Sequence, residues 1–242
     1  MIKKQLLLGH RGYSSIAPEN TDLAFNLAHI FGFDGVELDV HLTKDNNLVI
    51  IHDEDTKRTA NHNHVIKSSS LKTLRTLNYA SNFKVTTPCQ KLLTLEDFLD
   101  KYIDKFKIIN IEIKTDVYEY PDIERHIHNL ISFKYYEKKD KIVFSSFNFN
   151  SLERMHQLDP SYKLGFLWWK HTAFKEIDPL RILEICSFLN PWIDIYDEHA
   201  QEYDKFNIPY LLWTLKSEKH YKKYLENPLV YGQISNYKYK EK

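Results

Sequence analysis

The chain has 242 residues, 43% of them hydrophobic, which is enough to bury a sizeable core. Lysine plus arginine and aspartate plus glutamate both number 33, so the formal net charge is zero. That balance lacks the basic excess of a nucleic-acid-binding protein, and no segment reaches the roughly 18 apolar residues of a membrane-spanning helix.

The start, Met1-Ile2-Lys3-Lys4, has the charge of a signal n-region, but Leu6-Leu7-Leu8 is too short for the apolar core that must follow. We therefore read Gln5–Gly9 as a first strand and expect a soluble, cytoplasmic protein with no stable membrane insertion. Cys89 and Cys186 form no CxxC pair and read as free thiols.

A helix is expected over Thr21–Phe31, with Asn20 as its N-cap, and a second strand over Gly35–Leu42. Asp45-Asn46-Asn47 is a turn, and Leu48–Ile51 follows as a hairpin partner. Residues 53–93 then break the rhythm. This stretch is polar, with one short helical segment near Leu71–Leu77, and reads as a rim insertion too polar and short for its own core. Leu95–Tyr102 returns to helix, with Thr94 as N-cap and Asp97 at the third helical position.

Strands are then expected at Lys107–Lys114, Lys141–Ser146, Lys163–Trp168, Trp192–Ile195, Pro209–Leu215 and Val230–Ile234. Helices fit between them at Pro121–Phe133, Ser151–Leu158, Leu180–Leu189, Ala200–Phe206 and Ser217–Leu225. Strand-then-helix order implies parallel strands with crossover helices. A closed α/β (β/α)8 barrel of one domain, 1–242, fits about eight such strands better than an open doubly wound sheet. Residues Tyr237–Lys242 are too few for a full eighth helix, so the last helix is expected to be truncated or missing.

The chemistry-bearing residues fall at strand ends, where such barrels carry their active sites. His10-Arg11 follows the first strand. Glu37 and Asp39 share one face of the second strand by its period of two, and Asn110, Glu112 and Lys114 share a face of the next parallel strand. His52-Asp53 closes the hairpin. Three convergent carboxylates, Glu37, Asp39 and Glu112, repel one another unless a cation compensates, and their oxygens suit Mg2+ or Ca2+. Arg11 and Lys114 are the usual partners of a phosphate. His10 and His52 supply acid and base near neutral pH. Together these point to attack on a phosphodiester. His41 shares the face of Asp39 and is a weaker candidate. His62 and His64 lie in the polar insertion and read as solvated.

Gly9-His10-Arg11-Gly12 with Ala17-Pro18-Glu19-Asn20-Thr21, and Gly35-Val36-Glu37-Leu38-Asp39-Val40 with Leu42-Thr43-Lys44-Asp45 and Val49-Ile50-Ile51-His52-Asp53, resemble the two N-terminal signatures of the glycerophosphodiester phosphodiesterase family. Glu112-Ile113-Lys114, Ser145-Ser146-Phe147, Asn190-Pro191 and Trp213-Thr214 resemble its weaker later motifs. The resemblance implies a barrel with an insertion after the second strand and hydrolysis of deacylated phospholipids, such as glycerophosphocholine, to glycerol 3-phosphate and an alcohol. It implies His10 and His52 as acid/base residues, one Mg2+ or Ca2+ ion on Glu37, Asp39 and Glu112, Arg11 and Lys114 on the phosphate, and Glu19 and Asn20 in the site wall. Ser235-Asn236-Tyr237 departs from the family's usual Thr-Asp-Pro, a change expected to leave the metal and acid/base sets untouched.

Trp213, near the end of a strand, is expected to line the site and to meet a choline head group by cation–π attraction. Of Trp168 and Trp169, alternation buries one in the core. Two rivals are a related barrel phospholipase acting on intact lipid and a non-catalytic binding or adhesion barrel. The latter predicts loss of site residues, and all are present.

Overall fold

The computed structural model describes residues 5–239. Met1–Lys4, read above as too weak for an export signal, lie outside them, as do the last three residues of the expected short tail. The chain begins with β1 (Leu6–His10), α1 (Asp22–Ile30), β2 (Gly35–Leu42) and β3 (Leu48–Ile50). The rim segment carries α2 (Leu71–Leu74) and ends at α3 (Leu95–Tyr102). Then follow β4 (Ile108–Ile113), α4 (Ile123–Leu130), β5 (Ile142–Ser146), α5 (Phe149–Leu158) and β6 (Lys163–Trp168). The chain continues through α6 (His171–Lys175), α7 (Pro179–Ile185), β7 (Phe188–Pro191), α8 (Ile193–Tyr203), β8 (Tyr210–Leu215), α9 (Glu218–Tyr224) and β9 (Val230–Ser235).

Among the described residues eight strands are parallel, and β1 pairs with both β2 and β9, which closes the ring as a (β/α)8 barrel. Strand β3 lies antiparallel on the end of β2 as the hairpin partner. The open-sheet alternative is excluded by that closure.

Strand alternation sorts the residues. On β4, Ile109, Ile111 and Ile113 belong to the main core with helix residues such as Phe98 and Ile127. The opposite row, Ile108, Asn110 and Glu112, faces inward. At one end of the interior, Leu8, Ile108, Val143, Phe188, Leu211 and Ile234 form a separate apolar plug. Gly35 is required beside it, because a Cβ there would collide with the Ile108 backbone and side chain. Towards the C-terminal strand ends the inward rows turn polar. Register sets His10 beside Glu37 and Asp39 beside Glu112.

Three local expectations change. The N-cap of α1 is Thr21, whose Oγ1 accepts from the Ala24 amide at 3.3 Å. Asn20 instead has φ 57° and uses its side chain elsewhere. The seventh barrel strand is Phe188–Pro191, and Trp192–Ile195 mostly begins α8. The run Trp-Ile-Asp-Ile alternates as a strand would, but the preceding helix stops at Ile185 and frees Phe188 and Leu189 for the sheet. The rim segment does have a small core: Val49, Ile51, Ala60, Ile66, Leu74, Leu77, Tyr79 and Leu92 pack together. They are spread at no regular period, so only tertiary closure gathers them. Elsewhere the expected capping box at Thr94 and Asp97 is present in both directions. Among the described residues no helix follows β9, and Tyr239 stacks on Tyr221 of α9.

Candidate active site

The three expected acids meet at the barrel mouth. One oxygen from each of Glu37, Asp39 and Glu112 lies within 4.8 Å of the others, and all three side chains are buried. Burial pushes the Glu37 carboxyl well above the usual carboxylate range; the Asp39 charge adds to this and Arg11 opposes it. Burial raises Glu112 likewise, against the pull of Lys114. Asp39 goes the other way. Burial works against its charge, but Arg11, His52, Lys114 and the Asn20 amide together hold it below the usual range.

Asp39 Oδ2 accepts from Asn20 Nδ2 at 2.8 Å, and Arg11 Nε lies 3.4 Å from it. Asp39 Oδ1 is buried with no hydrogen-bond donor. Such an oxygen is costly unless something satisfies it. Three hard carboxylate oxygens, one of them unpaired and two with raised affinity for protons, fit a divalent cation.

The cationic and imidazole groups surround these acids. Arg11 has φ 55°, which turns its amide onto Glu37 Oε2 at 2.9 Å while its guanidinium reaches Glu19 Oε1 at 2.9 Å. Lys114 is buried and donates to Glu112 Oε1 at 2.8 Å; burial disfavours its charge, but Glu112 and Asp39 more than offset that. His10 Nδ1 meets Asn236 Oδ1 at 2.6 Å, and its Nε2 stands 3.8 Å from Glu37 Oε2. Burial, then the Arg11 charge, lower the His10 pKa to about 3, so the ring is neutral near pH 7. With Asn236 accepting at Nδ1, Nε2 is the bare nitrogen. His52 Nδ1 likewise meets Asp53 Oδ1 at 2.6 Å, and the ring borders the cavity.

These groups border a cavity of about 510 Å³, whose wall includes His10, Arg11, Glu37, His52, Glu112 and Lys114. Phe147, Trp169 and Trp213 form an apolar side. Trp213 donates to the Asn190 carbonyl at 2.7 Å and meets Phe147 edge-on at 5.6 Å. Trp168 is fully buried and Trp169 is 59% exposed, as alternation requires. Glu19, Asn20 and Asp39 stand behind the wall: Asn20 on Asp39, Glu19 on Arg11 and Arg58. His41 is buried against Tyr120, and its Nε2 lies 3.0 Å from the His52 carbonyl oxygen.

The reading from sequence overlooked Asn236, Asp53 and Arg58 as working parts. The departure at 235–237 was expected to leave the acid/base set untouched, yet Asn236 bonds His10 directly. Only closure of β9 onto β1 brings residues 226 positions apart together. Asp53 carried a signal, its adjacency to His52.

A second group, His171, His199 and Glu202, also has ligand atoms within 4.8 Å of one another. It lies outside the cavity and is only half-buried. Among the described residues no helix is long and apolar enough to cross a membrane.

A closed parallel barrel with acids, two imidazoles, an arginine and a lysine at its C-terminal mouth has the layout of an enzyme for phosphate-bearing substrates. The chain belongs to the glycerophosphoryl diester phosphodiesterase family, whose model matches residues 10–237. It is 52% identical over 244 residues to an uncharacterised protein of Mycoplasma genitalium, covering 100% of this chain and 99% of that one. It is 38% identical over 165 residues to a glycerophosphodiester phosphodiesterase of Caldanaerobacter subterraneus, covering 68% and 67%. A solved glycerophosphodiester phosphodiesterase from Thermotoga maritima superposes with TM-score 0.76 at 28% identity, covering 97% of this chain and 95% of that one.

Proposed function

We propose that this enzyme hydrolyses small glycerophosphodiesters to glycerol 3-phosphate and an alcohol, using one divalent cation, Mg2+ or Ca2+, and two histidines. The observation that carries this is one cavity bordered by a buried carboxylate cluster, two cations and two imidazoles each anchored through Nδ1. Glu37, Asp39 and Glu112 would hold the ion. When bound, it supplies positive charge beside a phosphoryl oxygen. Arg11 and Lys114 bind the remaining phosphate charge. One histidine takes the proton of the attacking hydroxyl, which belongs to water or to the glycerol itself; in the latter case water then opens the cyclic phosphate to glycerol 3-phosphate. The other histidine enters the step protonated at both ring nitrogens and gives its Nε2 proton to the leaving alcohol. Asn236 and Asp53 fix the two rings through Nδ1. Asn20 and Glu19 orient Asp39 and Arg11.

Phe147 and Trp213 offer aromatic surface to the alcohol, and a quaternary ammonium suits it. Trp213→Ala should weaken glycerophosphocholine more than glycerophosphoglycerol, by roughly 2–30-fold in KM. Equal kinetics on both would remove Trp213 from the substrate contacts.

The test of the reaction is release of glycerol 3-phosphate from glycerophosphocholine with Mg2+ or Ca2+, and again with chelator. Activity that vanishes with chelator is expected. Val117 and Trp169, 61% and 59% exposed at the mouth, favour a second reading in which intact lipid is the substrate. Greater activity on liposomes than on soluble diesters would select it.

A further inference from the structure

We infer that Arg58, which lies outside the cavity wall, is a positioning residue that clasps the supports of His52 and Arg11 together. The inference rests on the proposed reaction, in which both of those residues act.

Arg58 donates from Nε to Asp53 Oδ2 at 2.6 Å and from Nη2 to Asp53 Oδ1 at 3.0 Å. It also donates from Nη1 to Glu19 Oε2 at 2.7 Å and from Nη2 to Glu19 Oε1 at 2.7 Å. Two of these oxygens are shared. Asp53 Oδ1 also meets His52 Nδ1, and Glu19 Oε1 also accepts from Arg11 Nη1. The result is an unbroken series: His52, Asp53, Arg58, Glu19, Arg11. It joins the loop after β1 to the loop after β3 across the mouth.

The planar fork is what makes this possible. One guanidinium makes four bonds to two carboxylates in fixed directions, which an ammonium cannot copy. Both carboxylates are held ionised. Against the opposing effect of burial, the His52 and Arg58 bonds keep Asp53 below the usual range, and the Arg58 and Arg11 bonds do the same for Glu19. Removing Arg58 leaves two anions facing each other with nothing between them. Each is then free to turn, and the ring or guanidinium it supports turns with it. An isolated exposed ion pair would be worth little, but a bidentate network on both partners is the exception.

The rim segment explains how Arg58 is presented. Thr56 is fully buried and bonds the His62 carbonyl, Ala60 enters the small core, and Asn82 Nδ2 caps the Arg58 carbonyl at 3.1 Å. The insertion thus serves the active site by holding one side chain.

The experiment uses the full chain with Arg58→Gln and Arg58→Lys, each checked for fold by thermal unfolding. Arg58→Gln should lower kcat about 10–100-fold, the scale of a small misplacement of reacting groups, with a smaller change in KM. Arg58→Lys should recover little of it. In an Asp53→Ala, Glu19→Ala background, adding Arg58→Gln should cost less than about threefold, because the oxygens it bonds are gone. An undiminished loss in that background, or none in the wild-type background, overturns the inference. A second readout does not depend on turnover. At pH 8.5, 15N shifts of the His52 ring should show one Nδ1–H tautomer in the wild type and an average of two in Arg58→Gln. Identical shifts overturn the inference. A wild type that cleaves no glycerophosphodiester sinks the proposed function instead, and the ring shifts still decide on Arg58.

Discussion

Among the described residues two clusters bring three metal-ligating side chains within 4.8 Å of one another, and they could hardly be more different in build. Glu37, Asp39 and Glu112 stand on adjacent strands whose register sets Asp39 opposite Glu112, and all three are buried. His171 stands on α6, His199 and Glu202 stand on α8, and all three are half-exposed. In the first cluster an Asp39 oxygen has no donor, and burial raises the affinity of both glutamates for a positive charge. In the second, every group is already engaged. His171 Nδ1 meets the Tyr203 hydroxyl at 2.9 Å, and Lys175 donates to Glu202 at 2.8 Å. The two imidazoles stack 3.9 Å apart at 12°. An imidazole lone pair lies in the ring plane, so nearly parallel planes aim both nitrogens side by side and not at one ion. Residue type and distance do not define a site. Desolvation and convergent direction do.

The largest effect expected from this contrast is on turnover. His10→Ala and His52→Ala should each lower kcat for glycerophosphocholine about 10²–10⁴-fold with the fold intact, since each removes a proton carrier of the proposed reaction. Full activity in either variant would take that histidine out of the reaction.

Next in size is stability. Glu37 and Glu112 have folded pKa values raised above their unfolded ones. A group of that kind favours the folded state when protonated, and that stability is lost as pH rises through the raised value. The metal-free barrel should therefore lose stability as pH climbs out of the ordinary carboxylate range, and a divalent cation should restore it. At a hundredfold excess over Kd the gain is about 2.7 kcal/mol, or roughly 5–10 °C in Tm for a chain of this size. Glu37→Gln should raise Tm in chelator and abolish the rise with Mg2+ or Ca2+. A wild-type Tm indifferent to both ions would break the comparison at its stronger half. Acid should also release the ion, because protons compete for the same oxygens.

Legibility in the sequence follows the same division. The acid cluster was readable because a strand's period of two is local: Glu37 with Asp39, and Asn110 with Glu112 and Lys114, share faces by counting alone. The closed ring was readable from strand–helix alternation. What escaped was nonlocal or ambiguous. Arg58 reaches Glu19 across 39 positions and Asn236 reaches His10 across 226, and no spacing announces either pair. The seventh strand is four residues ending in a proline, a weaker pattern than the Trp-Ile-Asp-Ile that follows it. Glu19 and Asn20 were placed in the wall, yet they stand one step behind it, because their side chains turn to Arg11 and Asp39.

The smallest effect belongs to the peripheral cluster, and it tests the argument from direction most sharply. His199 has φ −127° and ψ 16° inside α8, so its helix is already kinked where a ligand could have been aimed. Its ring instead lies flat on His171. His199→Ala should change Tm within the range of an ordinary surface substitution, about 0.5 kcal/mol. It should leave the response to Mg2+ and Ca2+ as in the wild type. The discriminating ion is Zn2+, which favours imidazole nitrogen over carboxylate oxygen. Thermal unfolding of wild type and His199→Ala with equimolar Zn2+ should show the same shift, because any stabilising ion sits on the acids at the mouth. A Zn2+-dependent rise lost in His199→Ala and kept in Glu37→Gln would mean that the stacked rings swing apart to ligate, and that direction in the free protein is no guide to the site.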